Sequence, residues 1–154
     1  MPSEPAITLD DKAWRLLQAL QTDGRQPLKA LAAAAGLSIA ATAERLKRLQ
    51  EAGVIRGIVA DLEPARLGWH VRAIIGITAL QPAKRGLLAR LRAMPEVLEC
   101  HHVTGSDSYV MTVVAVDLAG LEAFLGAING WGETRTSIVL STPIPRRALA
   151  RPPG

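Results

Sequence analysis

"LAAAAGLSIAATAERLKRLQEAGVI", residues 31–55, decides how the N-terminal third is read. A run of small residues ends at Gly36, and Ser38 stands where a helix N-cap belongs. From there Ile39, Ala43, Leu46, Leu49 and Gln50 fall on one side of a helix at helical spacing. The opposite side carries Ala41, Glu44, Arg45 and Arg48, with Lys47 on the flank. Gly53 closes the helix, and "VIRGIVADL", residues 54–62, alternates enough to predict a strand. Two helices joined through a Gly, the second amphipathic with cations outward, make a helix-turn-helix, and the strand that follows would be its wing. Ser38, Ala40, Ala41 and Thr42 keep the front of the second helix slim enough to enter a major groove. An ordinary solvated helix pair is the alternative from spacing alone.

Working outward, "LDDKAWRLLQALQTDGR" predicts a preceding helix. Thr8, Asp10 and Asp11 suit its N-terminus, Leu9, Ala13, Leu16, Leu17 and Leu20 form one apolar stripe, and Gly24 stops it. Pro27 fits the first turn of the middle helix, whose Leu28, Leu31 and Ala32 face inward. The small residues at 32–35 let the two helices of the motif approach closely.

"LEPARLGWH", residues 62–70, reads as a linker broken by Pro64 and Gly68. Beyond it one supersecondary unit is used twice. Strand "VRAIIGITAL", helix "PAKRGLLARLRAM" and strand "VLECHHVTG" are followed by strand "SYVMTVVAV", helix "DLAGLEAFLGAI" and strand "TRTSIVLST". Leu87, Leu88 and Leu91 point inward from the first of these helices, with Arg90 and Arg92 outward. Tandem β-α-β units predict a ferredoxin-like βαββαβ fold, a four-stranded antiparallel sheet with both helices on one face. The fold class is therefore α+β: residues 1–61 a winged helix-turn-helix domain, 62–70 a linker, and 71–150 a ferredoxin-like domain for effector binding and oligomerisation. "AIIGI" and "VMTVVAV" are apolar on both sides, so the face without helices needs a partner, most simply a second copy in a two-fold dimer. Two helix-turn-helix units related in that way would read half-sites about 34 Å apart.

The bulk numbers fit this reading. The chain has 154 residues, 49% hydrophobic but only 3% aromatic, so its cores must be aliphatic. A net charge of +4 favours an anionic partner such as double-stranded DNA. Residues 1–60 hold 8 Lys/Arg against 6 Asp/Glu and residues 61–154 hold 10 against 8, so neither half is distinctly the basic one. The single cysteine, Cys100, excludes an internal disulfide and fits a reducing compartment. "MPSEPAITLDD" lacks the pattern of a signal peptide, and no apolar run reaches membrane-spanning length. The chain reads as soluble and cytoplasmic, with no membrane partner.

In their order and spacing, "LDDKAWRLLQALQTDGR", "GLSIAATAERLKRLQEAGVIRGIVADLEPARLG", "VLECHHVTGSDSYVMTVVAVD" and "ETRTSIVLS" resemble the Lrp/AsnC (leucine/asparagine-responsive) regulators over residues 8–149. The resemblance implies a sequence-specific DNA-binding transcriptional regulator. Its dimers would assemble into tetramers or octamers, with an amino acid or related metabolite bound where dimers meet. It also places the effector beside the loop Thr104, Gly105, Ser106, Asp107, Ser108 and Tyr109, near Thr134 and Thr136. Three positions depart from the family pattern. Ser108 stands where an Asp is usual, leaving the acid one residue earlier at Asp107, where a carboxylate could hold an ammonium group. "NGWG" replaces a Pro-Gly-Val turn after a helix about one turn short, so Trp131 would alter the shape of the pocket or the assembly contact. Ala13 replaces an Asp, a matter of packing.

In the recognition helix Arg45 is assigned to a DNA phosphate, with a surface pair to Glu44 or Glu51 as the alternative. Lys47 and Arg48 are further phosphate candidates. Ser38, Ala40, Ala41 and Thr42 are candidates for base edges or thymine methyls, and Ser38 is a helix cap, a base contact or both. Cys100, His101 and His102 do not predict a metal site, because alternation along a strand leaves only Cys100 and His102 on one face. Asp107 and Tyr109 would be the acid and orienter of a catalytic site. No nucleophile–base pair or phosphate-binding Gly loop accompanies them, so no enzyme and no cofactor are expected. A DNA-compacting protein and a siroheme-decarboxylase-like enzyme on the same architecture are the alternative functions.

Overall fold

The computed structural model describes residues 9–79 and 84–153. The element order is α1 (Asp11–Thr22), α2 (Leu28–Ala35), α3 (Ile39–Glu51), β1 (Val71–Ala79), α4 (Lys84–Arg92), β2 (Val97–His102), β3 (Tyr109–Ala115), α5 (Leu118–Ile128) and β4 (Gly132–Ile138). Thr8, Leu80, Pro82 and Ala83, read above into a cap, a strand end and a helix start, lie outside the described residues. Two compact units form: residues up to Asp61 joined by those from Pro145 onward, and Leu62–Ile144. The N-terminal compact unit thus includes residues from Pro145 onward, part of which the sequence pattern assigns to the 71–150 domain.

In the N-terminal unit Asp10 caps α1 by accepting from the Ala13 N–H at 2.8 Å. Gly36 takes φ +64° after α2, and the Leu37 N–H reaches the Ala32 carbonyl at 2.9 Å, so the helix ends in a glycine-dependent cap. Ser38 then caps α3 through the Ala41 N–H at 3.2 Å. Leu16, Leu31 and Ala35 form the centre of a small core, with Ala19, Leu20, Leu37 and Leu46 packed around it. The predicted wing strand does not form: residues 54–62 carry no strand. The physical reason is that, among the described residues, this unit offers no second strand to pair with. The segment is seated by a side chain instead. Ile58 lies over Gly24, where a Cβ would stand 2.8 Å from the Ile58 Cγ2, and together with Leu20, Leu28, Leu31, Leu46 and Ile55 it lines a cavity of about 210 Å³.

The linker sequence makes a short 3-10 turn, Pro64–Leu67, capped by the Glu63 carboxylate and ended by Gly68 at φ +92°. The sheet follows in the order β2-β3-β1-β4, all neighbours antiparallel, as tandem β-α-β units require. Ala73, Ile75, Ile77, Met111 and Val113 from the inner face meet Leu87, Leu91, Leu121, Phe124 and Ile128 from α4 and α5 in one continuous core. The outer face is less apolar than predicted. Ile74, Val110 and the buried Val114 lie along its middle, but the register surrounds them with Arg72, Glu99, His101, Thr112, Arg135 and Ser137. The edge strands are the cause, because β2 and β4 place Glu99, His101, Glu133, Arg135 and Ser137 on this face where the central strands are largely apolar.

Candidate nucleic-acid interface and effector loop

Helix α3 is rotated relative to the sequence reading. Its buried positions are Thr42 and Leu49, with Leu46 half-buried, while Ile39, Ala43 and Gln50 are exposed. Thr42 is fully buried because its hydroxyl is satisfied locally, donating to the Ser38 carbonyl at 2.9 Å. It therefore packs into the domain and does not face a base edge. Ser38, Ala40 and Ala41 remain exposed, and Ile39, which the apolar pattern had assigned to the core, is 51% exposed beside them. An exposed Ile at the front of a recognition helix suits a thymine methyl. Composition alone could not reveal it, since a helical wheel counts every Ile as core.

The cations of α3 all have acid partners. Arg45 reaches back to α1, its Nη1 2.7 and 2.8 Å from the two Asp10 oxygens. Arg48 pairs with Glu44 at 2.9 Å and Lys47 with Glu51 at 3.7 Å, each one turn away on the exposed surface. Such one-turn pairs contribute roughly 0.3–0.5 kcal/mol and yield easily to a phosphate. Arg45 differs. Asp10 also holds the α1 cap, and its carboxyl is kept below the usual range first by the Ala13 N–H and then by the Arg45 guanidinium. Arg45 is thus a strut between two helices, a pairing made invisible in sequence by a separation of 35 residues.

In the C-terminal unit the loop from Val103 to Ser108 is fastened to β1. The Ser108 N–H donates to the Ile77 carbonyl at 2.9 Å, and the Thr78 hydroxyl donates to the Ser106 carbonyl at 2.9 Å. The Ser108 hydroxyl bridges the backbone of Ala79, accepting from its N–H at 3.2 Å and donating to its carbonyl at 3.3 Å. Gly105 turns the loop at φ +111°, with Thr104 and Ser106 exposed around it. Asp107 folds onto the outer face of the sheet against Gly76, where a Cβ would stand 2.6 Å from its carboxyl carbon. There it pairs with Arg135, which lies opposite Gly76 in the register and also donates to the Ser106 hydroxyl at 2.9 Å.

The structure separates some of the residues read as one site. Tyr109 is a core residue on the inner face, its ring 5.1 Å from that of His102, so it is no orienter for Asp107. Thr134 and Thr136 pair with Ile77 and Ile75 and share that inner face. Arg135, between them, is the β4 residue that meets the loop. Neither Gly76 nor Arg135 was read as a site residue. The "TRT" alternation on a strand beside a loop acid was the available signal.

Residues 72–149 match the model of the Lrp/AsnC ligand binding domain, and residues 9–56 match that of the winged helix-turn-helix DNA-binding domain. The HTH-type transcriptional regulator LrpA of Mycobacterium tuberculosis is 37% identical over 137 residues, which cover 87% of this chain and 91% of LrpA. AldR of Mycolicibacterium smegmatis is 35% identical over 141 residues, 87% of this chain and 82% of that one. The chain belongs to the Lrp/AsnC family of transcriptional regulators. Among solved structures, a transcriptional regulator of Neisseria meningitidis in complex with L-Met superposes with a TM-score of 0.86 at 28% identity, covering 93% of this chain and 97% of that one. The feast or famine regulatory protein of M. tuberculosis complexed with L-methionine gives 0.85 at 36% identity, over 91% and 97%.

Within this Lrp/AsnC-type fold, the departures from the family pattern have local explanations. Ser108 staples the loop to the end of β1. Helix α5 stops at Ile128 but runs into a 3-10 turn, Asn129–Trp131, which restores part of the missing turn. The Trp131 indole lies on α4 at Gly86, where any Cβ would overlap the ring. Trp131 is therefore packed against the core of its own unit. Ala13 is buried in α1, where an Asp would need a partner. Cys100 is half-buried on the inner face, its thiol pushed up by burial, and His101 faces Glu99 at 3.3 Å on the outer face. Among the described residues no three His, Cys, Asp or Glu side chains gather as metal ligands, and no helix is long and apolar enough to cross a membrane.

Proposed function

We propose that this regulator responds to a free amino acid bound at the 104–108 loop, and that the binding determinants are Asp107 and Arg135. The observation that carries the reading is their pairing on the outer face beside Gly76. A carboxylate and a guanidinium held together match the ammonium and carboxylate of a zwitterion, which neither alone would select. The loop backbone around Gly105 is exposed and offers further polar groups. The relatives bound to L-methionine support an amino-acid effector. The effector acts by binding two assembly or DNA-affinity states unequally.

Double-stranded DNA is met by Ser38, Ile39, Ala40 and Ala41 at the front of α3, with Lys47 and Arg48 exchanging their acids for phosphates. Arg45 holds α3 in place from behind. Self-association uses the central strip of the outer sheet face around Ile74 and Val110, giving a dimer and, through further contacts, a tetramer or octamer. The protein acts in the cytoplasm as a regulator and not as an enzyme.

Calorimetric titration with L-methionine and L-leucine tests the effector site. Asp107→Asn and Arg135→Gln should each weaken binding at least tenfold while the sheet signal in circular dichroism is kept. Undiminished binding by both variants would move the effector elsewhere.

A further inference from the structure

The last residues of the chain are built into the N-terminal unit by side-chain clamps on α1. The amide of Gln21 grips the backbone of Leu149 twice: its Nε2 donates to the carbonyl at 3.2 Å, and its Oε1 accepts from the N–H at 2.7 Å. That is the hydrogen-bond pattern of a strand neighbour, supplied by a side chain. Arg151 adds an ion pair to Asp11 at 2.6 Å. Leu149 itself is 79% exposed, so the tail is held by polar groups and not by burial.

Dividing the charge by compact unit changes its distribution. Residues 1–61 hold eight Lys/Arg against seven Asp/Glu, residues 145–154 hold three against none, and residues 62–144 hold seven against seven. The C-terminal unit is therefore neutral. The whole net charge of +4 belongs to the DNA-binding unit, and three of those four charges arrive with the tail. Arg151 is engaged by Asp11, while Arg146 and Arg147 have no acid partner among the described residues. By contrast, each of the three cations on α3 faces an acid of its own unit.

We propose that the C-terminal tail is a second DNA-contacting element of the helix-turn-helix unit, docked on α1 by Gln21 and Asp11 so that Arg146 and Arg147 meet backbone phosphates beside the segment read by α3. Any basic tail is drawn to DNA, but a loose one must be ordered on binding. The clamp on Leu149 orders it beforehand, which lowers the entropic cost of each contact. The contacts go to phosphate, so they add affinity and orientation without reading sequence.

The test is binding of the full chain to a mixed-sequence duplex across a range of salt concentrations. Each phosphate contact contributes about 0.9 to the slope of log affinity against log salt, so Arg146→Ala with Arg147→Ala should lower the slope by about two per chain. At ~0.1 M salt the accompanying loss should be about 10- to 100-fold. Truncation after Ile144 should reproduce both effects. Gln21→Ala, which changes no charge, should leave the slope intact, weaken binding severalfold and speed tryptic cleavage at Arg146 and Arg147. A slope unchanged in both the double variant and the truncated chain overturns the proposal, as does tighter binding by either. Loss in the double variant without any effect of Gln21→Ala overturns the docking. The proposal rests on DNA binding by the helix-turn-helix unit. A wild-type chain that bound no duplex would remove that reading altogether, whereas normal wild-type binding with an unaltered double variant removes the tail alone.

Discussion

The two units of this chain are stabilised by different means. The C-terminal unit has a continuous core of sheet and helix residues, with Ile75, Ile77, Leu87, Met111, Val113 and Ile128 all essentially inaccessible. The N-terminal unit has a core centred on Leu16, Leu31 and Ala35, completed by caps, the Arg45–Asp10 strut and the docked tail. Hydrophobic burial has no titrating group and no charge for salt to screen, whereas carboxylate caps and ion pairs respond to pH and to screening. The N-terminal unit thus leans more on polar and ionic contacts beside its small apolar core. The C-terminal unit is held mainly by packing, with the Asp107–Arg135 pair and the Asp117 cap at its surface.

The strongest way to break this contrast is Leu16→Ala, expected to cost about 2–5 kcal/mol. So small a core should lose the N-terminal unit first, seen as an early transition at Trp14 with the sheet still folded. A single transition shared by Trp14 and Trp131 would show that the units melt as one. Next in size is Gly86→Ala. Its methyl meets the Trp131 ring, and overpacking of this kind costs roughly 1–3 kcal/mol, partly offset by better helix propensity. Thermal denaturation should register it in the sheet unit alone, with DNA affinity unchanged.

Smaller effects sharpen the comparison inside the N-terminal unit. Lys47→Ala and Arg48→Ala should each lower the salt slope of DNA binding by about one, while Arg45→Ala should lower thermal stability and leave the slope nearly unaltered. A slope change for Arg45→Ala equal to that of its neighbours would return it to the phosphates. Asp10 supplies the pH dependence. Its folded pKa is depressed, so its stabilisation is fully present above the ordinary carboxyl range and is lost as pH falls through the folded value. Acid titration followed at Trp14 should therefore show loosening of the N-terminal unit that Asp10→Asn abolishes. The least effect is on Cys100. Burial pushes its thiol up and so lowers the thiolate fraction, and alkylation by iodoacetamide should be slower than that of an exposed thiol and recover on unfolding.

Much of this was legible without coordinates. Gly36 and Ser38 marked the turn of the helix-turn-helix because a left-handed cap and an N-cap are demands of single residues. The doubled β-α-β pattern fixed the sheet order because few chain paths satisfy it. The buried stripe of α3 lies one position from where its apolar residues place it, because Thr42 satisfies its hydroxyl on Ser38 and then packs like an aliphatic residue. The 54–62 segment alternates like a strand but has no strand among the described residues of its unit to pair with.

What the sequence by itself determined were the features set within one turn or one strand: helix ends, alternation, the tandem repeat and the loop carrying Asp107. What only the tertiary structure decided were the partnerships between distant residues: Arg45 with Asp10, Asp107 with Gly76 and Arg135, Gln21 with Leu149. Local preferences are properties of neighbouring residues. An ion pair or a close approach depends on where the folded backbone brings two separated segments, and composition carries no record of that distance.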